Sequence, residues 1–101
     1  MARGKILVVD DENLVRWSLL EHFRRQGYRV SEAEDAAGAW AAIQAESPDV
    51  VLLDVRLPDR SGIELLEQMK KEGANSAVFM ITVDPKPVSY THLRAHETVL
   101  D

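Results

Sequence analysis

The sequence predicts an α/β domain built on a doubly wound parallel sheet. Three observations predict it. Short β-branched runs recur along the chain and are continuously apolar rather than alternating, as strands buried on both faces require. Amphipathic or alanine-rich stretches of roughly ten to fifteen residues separate them, the length of crossover helices. Two of the runs end in aspartate, and ligands of open α/β sheets sit beyond the carboxyl ends of the strands.

Lys5–Val9 (KILVV) is the first such run and predicts a strand. Asn13–Gln26 follows with Val15, Leu19 and Phe23 at helical spacing, and Gly27 stops it. Tyr28–Ala33 (YRVSEA) predicts a second strand with Val30 inward. Ala36–Ala45 is alanine-rich and helical, with Trp40 and Ile43 on one side, and Ser47-Pro48 ends it. Val50–Asp54 (VVLLD) repeats the pattern of the first strand and also ends in an acid. Pro58-Asp59-Arg60-Ser61-Gly62 is a loop in which Ser61 can cap the next helix. That helix, Ile63–Lys71, turns Ile63, Leu66 and Met69 inward and a Glu67–Lys71 pair outward. Ala77–Thr82 (AVFMIT) predicts a fourth strand. The order is βαβαβαβ with right-handed crossovers, and a 2-1-3-4 sheet is expected.

Composition narrows the function. The 101 residues fit one domain, and 46% hydrophobic with 29% charged residues is too apolar for a disordered chain. With no cysteine, disulfides, zinc–thiolate centres and thiol catalysis are excluded. A net charge of −5 makes the domain a poor holder of nucleic acid by itself, and it suits a divalent cation or a basic surface instead. The run Ile6–Val9 is too short for a signal-peptide core, and no window approaches the roughly 18 apolar residues of a membrane span. A soluble, cytoplasmic protein is expected. Trp17 and Trp40 read as packing residues, Arg24-Arg25 as a solvated helix end, and Glu32, Glu34 and Asp35 as a charged loop.

Asp10-Asp11 follows the first strand and Asp54 closes the third. In a 2-1-3-4 sheet these strands are neighbours, so three carboxylates converge. Their charges repel, and a divalent cation that prefers oxygen removes the conflict; Mg2+ suits the set. Such a site favours phosphoryl transfer, with a carboxylate as nucleophile and an acyl phosphate as product. Thr82, ending the fourth strand, places a hydroxyl where it can bond a phosphoryl oxygen and so act as a switch. Taken singly, each of these residues reads more readily as a turn, a cap or a plain strand residue. Together they form a pattern.

The segments ILVVDDE (Ile6–Glu12), VVLLDVRLPDRSGIELL (Val50–Leu66) and VFMIT (Val78–Thr82) resemble, in order and spacing, the receiver domains of two-component response regulators. The resemblance implies a flavodoxin-like fold and a phosphoacceptor, Asp54, charged by a sensor histidine kinase. It implies Mg2+ held by Asp11 and Asp54 directly, by Asp10 mainly through water, and by the backbone carbonyl of Arg56. Thr82 takes the role of the switch hydroxyl. LVRWSLL and DVRLPDRSGIELL look most like receivers of the nitrogen-regulation type, whose full-length parents add an ATPase acting on sigma-54 polymerase and a DNA-binding domain. No residue of those output domains is expected in this chain, and neither direct nucleic-acid binding nor membrane contact. An aspartyl-phosphate switch is expected rather than a turnover enzyme. Two other readings compete: a non-phosphorylated interaction module, and a nucleotide-binding domain. The second needs a glycine-rich loop where Asp10-Asp11-Glu12 stands.

The pattern changes after Thr82. Residues 1–82 are expected to form the receiver and 83–101 a tail foreign to it, the fold being truncated after the fourth strand. A receiver has a fifth strand carrying Lys-Pro, but Lys86-Pro87 stands too close to Thr82 for a helix and strand between them, so the lysine role is not carried over. Val83 occupies a position that is usually small. Val88–Thr98 (VSYTHLRAHET) resembles the translation of a sequencing-library adapter, and His92 and His96, four apart, lack a third partner for a metal.

Overall fold

The computed structural model describes residues 3–81 and 97–100. One parallel sheet contains β1 (Lys5–Val9), β2 (Arg29–Ala33), β3 (Val50–Asp54), β4 (Ala77–Ile81) and β5 (Glu97–Leu100), in the order β2-β1-β3-β4-β5. Helices α1 (Asn13–Arg25), α2 (Ala36–Glu46) and α3 (Gly62–Lys71) make the three crossovers between the first four strands. The expected βαβαβαβ order and the 2-1-3-4 neighbours are both present, and element ends differ from the sequence reading by about a residue.

The sheet runs one strand further than expected. β5 lies parallel to β4, in register from Val78↔Glu97 to Ile81↔Leu100. It falls in the segment after Thr82, where the sequence shows no further strand. Four residues are too few to display a period, and β5 pairs along the remaining edge of β4.

β1 and β3 have a neighbouring strand on each edge and apolar clusters on each face, which explains their unbroken apolar sequences. Leu7, Val9, Val51, Leu53, Val78 and Met80 join Ala36, Ala39 and Ile43 of α2 and Leu65, Leu66 and Met69 of α3 in one core. Ile6, Val8, Leu52 and Ile81 point the other way and meet Leu20 of α1, with Leu19 and Phe23 half-buried beside them. Alternate residues of each strand therefore serve two cores, the signature of double winding.

Helix faces depart from the sequence reading in three places. On α1 the buried residues are Arg16 and Leu20, one turn apart, while Val15, Leu19 and Phe23 are only half-buried. Trp17 is 59% exposed rather than packed, because it stands about 100° around the helix from Arg16. Trp40 is half-buried against the core as expected. On α3 the buried apolar set is Leu65, Leu66 and Met69, and Ile63 sits at its margin. Ser61 does cap α3, its Oγ accepting from the N–H groups of Ile63 at 3.1 Å and Glu64 at 3.2 Å.

Candidate functional site

Strand order places the site. Because β2 lies on the far edge of β1, β3 pairs directly with β1, and the register Val9↔Leu53 sets their carboxyl ends side by side. Asp10 leaves β1 there and Asp54 ends β3. One carboxylate oxygen from each of Asp10, Asp11 and Asp54 lies within 4.8 Å of the others. Asp10 is 0% and Asp54 6% exposed, while Asp11 faces solvent. The three acids that the sequence singled out are thus brought together.

Their polar partners are few. Asp10 Oδ1 accepts the N–H of Glu12 at 2.8 Å, and Asp54 Oδ1 accepts the N–H of Arg56 at 3.0 Å. Asp10 Oδ2 is buried and accepts no hydrogen bond among the described residues. Burial raises the Asp54 carboxyl to about 6, against the Arg56 N–H, and the charges of Asp10, Asp11 and Glu12 push the same way. Asp10 is also raised, first by burial and then by Asp11 and Glu12, with the Glu12 N–H and Arg16 opposing.

An orphaned buried carboxylate oxygen within a set of hard oxygen donors fits a divalent cation of the magnesium type. Asp10, Asp11 and Asp54 would supply the carboxylates. The loop after β3 begins beside them, held by the Arg56 N–H on Asp54 and by Gly62 N–H donating to the carbonyl of Val55 at 2.8 Å. Gly62 is needed there. A Cβ on it would stand 2.2 Å from the Asp54 carbonyl oxygen, so only glycine lets α3 start this close to β3.

Ile81 pairs with Asp54 at the end of β4. Thr82, the next residue, lies outside the described residues, as do Val83, Lys86-Pro87, His92 and His96.

Sequence reasoning missed the part played by Arg16 beside the site and by Asp59 in the loop after β3. Arg16 is buried, and it donates to the Asp10 carbonyl, to Asn13 and to Glu32. Its i,i+4 relation to the apolar Leu20 was the available signal. Asp59, read only as a loop residue, reaches across to α2, its Oδ1 accepting from Ala36 N–H at 2.8 Å and its Oδ2 from Ala37 N–H at 2.9 Å. No local pattern announces a contact between residues 22 and 23 apart in sequence. Asp35, taken as a charged loop residue, caps α2 through Gly38 N–H.

The profile described as the response regulator receiver domain matches residues 6–98. Sporulation initiation phosphotransferase F of Bacillus subtilis (strain 168) is 39% identical over 81% of this chain and 66% of its own length. The DNA-binding transcriptional regulator NtrC of Proteus hauseri is 35% identical over 81% of this chain but only 17% of itself. The chain therefore spans just under two thirds of the first relative and a small part of the second. Among solved structures, a CheY-like response regulator receiver domain protein from Methanospirillum hungatei JF-1 superposes with a TM-score of 0.76 at 33% identity, covering 81% of this chain and 66% of that one. NtrX from Brucella abortus matches at 37% identity with a TM-score of 0.73, over 80% of this chain and 18% of its own.

Proposed function

Because the chain belongs to the response regulator receiver domain family, we propose that it is a phosphoacceptor module of a two-component phosphorelay, with Asp54 taking the phosphoryl group. The observation that carries this reading is the cluster of Asp10, Asp11 and Asp54 at the ends of β1 and β3, with one buried carboxylate oxygen left unpartnered. A carboxylate oxygen of Asp54 attacks phosphorus, the bond from phosphorus to the imidazole nitrogen of a phosphohistidine breaks, and that nitrogen keeps the electron pair. An acyl phosphate forms on Asp54, and the imidazole, carrying a proton on its other ring nitrogen, leaves as neutral histidine. Mg2+, when bound, neutralises charge on the moving phosphoryl group.

The chain's own residues orient the reaction. The Arg56 N–H holds Asp54 Oδ1 and so directs the other oxygen. Asp10 and Asp11 supply cation ligands, with the backbone carbonyl of Arg56 as a further one. Thr82, the residue after Ile81, is the switch hydroxyl in this reading, bonding the phosphoryl group only when it is present. Residues 1–82 carry every site residue of this reading, and 83–101 form a separate tail in it, although the family match runs to residue 98 and β5 lies within that stretch. The partners are a sensor histidine kinase and, in a full-length parent of the nitrogen-regulation type, ATPase and DNA-binding domains that control transcription. Similarity to NtrC and NtrX supports that parentage. The reaction belongs to the cytoplasm, and the module works as a stoichiometric switch rather than a turnover enzyme.

Incubation with acetyl phosphate and Mg2+, followed by intact-mass measurement, tests the proposal. One added phosphoryl group is expected, lost in Asp54→Asn and in the presence of a chelator. Equal labelling of Asp54→Asn, or labelling indifferent to Mg2+, would overturn it.

A further inference from the structure

We infer that Arg16 is a positioning residue for the acidic site, holding the loop that carries Asp10 and Asp11 in the form that accepts a divalent cation. This deepens the reading of the site given above and rests on it. Arg16 stands one turn inside α1 and is 9% exposed. Its Nη1 donates to the backbone carbonyl of Asp10 at 2.6 Å, its Nη2 to Asn13 Oδ1 at 2.5 Å, and its Nε to Glu32 Oε1 at 2.7 Å. One planar group thus ties together the carboxyl end of β1, the first residue of α1 and the end of β2.

The contact with Asp10 matters most. The carbonyl that Arg16 holds belongs to the peptide joining Asp10 to Asp11, so fixing it sets the direction of two of the three carboxylate-bearing residues. A buried guanidinium without partners is costly. Here its partners are the loop's own Asp10 carbonyl and the side chains of Asn13 and Glu32 on either side, so loop and side chain fix each other. Glu32 serves a different end. It takes Nε from the outer side, and its own side chain is 56% exposed.

Charge alone argues the opposite way. A guanidinium beside the site repels an incoming cation, so a purely electrostatic Arg16 would weaken binding and its removal would tighten it. A positioning Arg16 strengthens binding through geometry, and its removal weakens it. Lysine separates the two roles further, because it keeps the charge on a single flexible point and cannot bridge three acceptors in a plane.

The experiment is a Mg2+ titration of the whole chain by calorimetry for wild type, Arg16→Gln, Arg16→Lys, Glu32→Gln and Asp11→Asn, with thermal unfolding of each in metal-free buffer. Arg16→Gln is expected to bind Mg2+ at least about 10-fold more weakly, as loss of a residue that orients metal ligands commonly does. Arg16→Lys is expected to fall between it and wild type, and Glu32→Gln to stay within roughly 3-fold of wild type, since the Asp10 contact remains. Folded Arg16→Gln that binds as well as wild type, or more tightly, would overturn the inference. If Arg16→Gln does not fold, Arg16→Lys decides, and wild-type affinity in that variant overturns the inference. Wild-type binding that is lost in Asp11→Asn upholds the site independently of Arg16. Absence of any Mg2+ response in wild type would overturn both.

Discussion

At the scale of single residues, the fold tolerates Asp54 as a cost. Its folded pKa of about 6 lies above its ordinary 3.8, with burial as the main cause. Between those values the folded state binds more protons than the unfolded one, so this group's contribution to stability falls as pH rises. The cost is complete above about pH 6 and absent below 3.8. Asp10, also raised, acts in the same direction. Asp59 does the reverse: backbone N–H groups led by that of Ala36 hold it low, so its contribution persists above the ordinary carboxylate range and is lost only in stronger acid. Asp54→Asn is therefore expected to stabilise the metal-free protein at pH 7 by about 1–3 kcal/mol and to flatten its stability between about pH 4 and 6. Urea unfolding at several pH values in a chelating buffer checks this; a variant less stable than wild type at pH 7 would contradict it. The three acids were legible in the sequence because each follows a strand whose own pattern is plain. Arg16 and Asp59 were not: the i,i+4 spacing to Leu20 could mark Arg16 as inward, but neither period nor motif encodes the tertiary contacts through which the two act.

At the scale of elements, sequence patterns locate strands and helices better than they locate their seams. β1 and β3 could be read with their exact ends because burial on both faces makes them uniformly apolar. β5, short and at the edge, carries no such mark. The seams hold two further expectations. Ser47, the residue ending α2, has φ of 47° and ψ of 61°, a left-handed conformation that suits glycine. Ser47→Gly removes a steric cost of about 1–2 kcal/mol, partly offset by the extra freedom of glycine in the unfolded chain. A net gain of about 0.5–1 kcal/mol is expected in urea unfolding, and a loss would argue against it. Gly62 lies at the opposite kind of seam, where α3 abuts β3. The Cβ of Gly62→Ala would meet the Asp54 carbonyl at 2.2 Å, backbone that cannot rotate away. A loss of about 1–3 kcal/mol is expected, the usual range for overpacking, together with slower labelling by acetyl phosphate, because α3 must shift away from the strand that ends in Asp54. Wild-type stability and labelling in Gly62→Ala would show that α3 moves without strain.

At the scale of the whole molecule, the acidic site and the fold are coupled through charge. The chain carries a net charge of −5, and three of its acids meet where the neighbouring strands β1 and β3 end. Two of the three are buried, so the metal-free fold bears their repulsion and desolvation directly. A single domain of 101 residues folds with a small margin of stability. A cation that binds only the folded state then contributes a large share of that margin: about 2.7 kcal/mol at 100 times its dissociation constant. For a domain of this size each kcal/mol moves the unfolding midpoint by roughly 4–8 °C, so saturating Mg2+ is expected to raise it by more than about 10 °C. Asp54→Asn keeps the fold but removes one carboxylate ligand and one repelling charge. It should begin from a higher midpoint without metal and gain much less on adding Mg2+, so that the two proteins converge as the cation saturates. Thermal scans of both proteins across a Mg2+ series test this. Parallel rises in the two would place the stabilising cation somewhere other than the ends of β1 and β3.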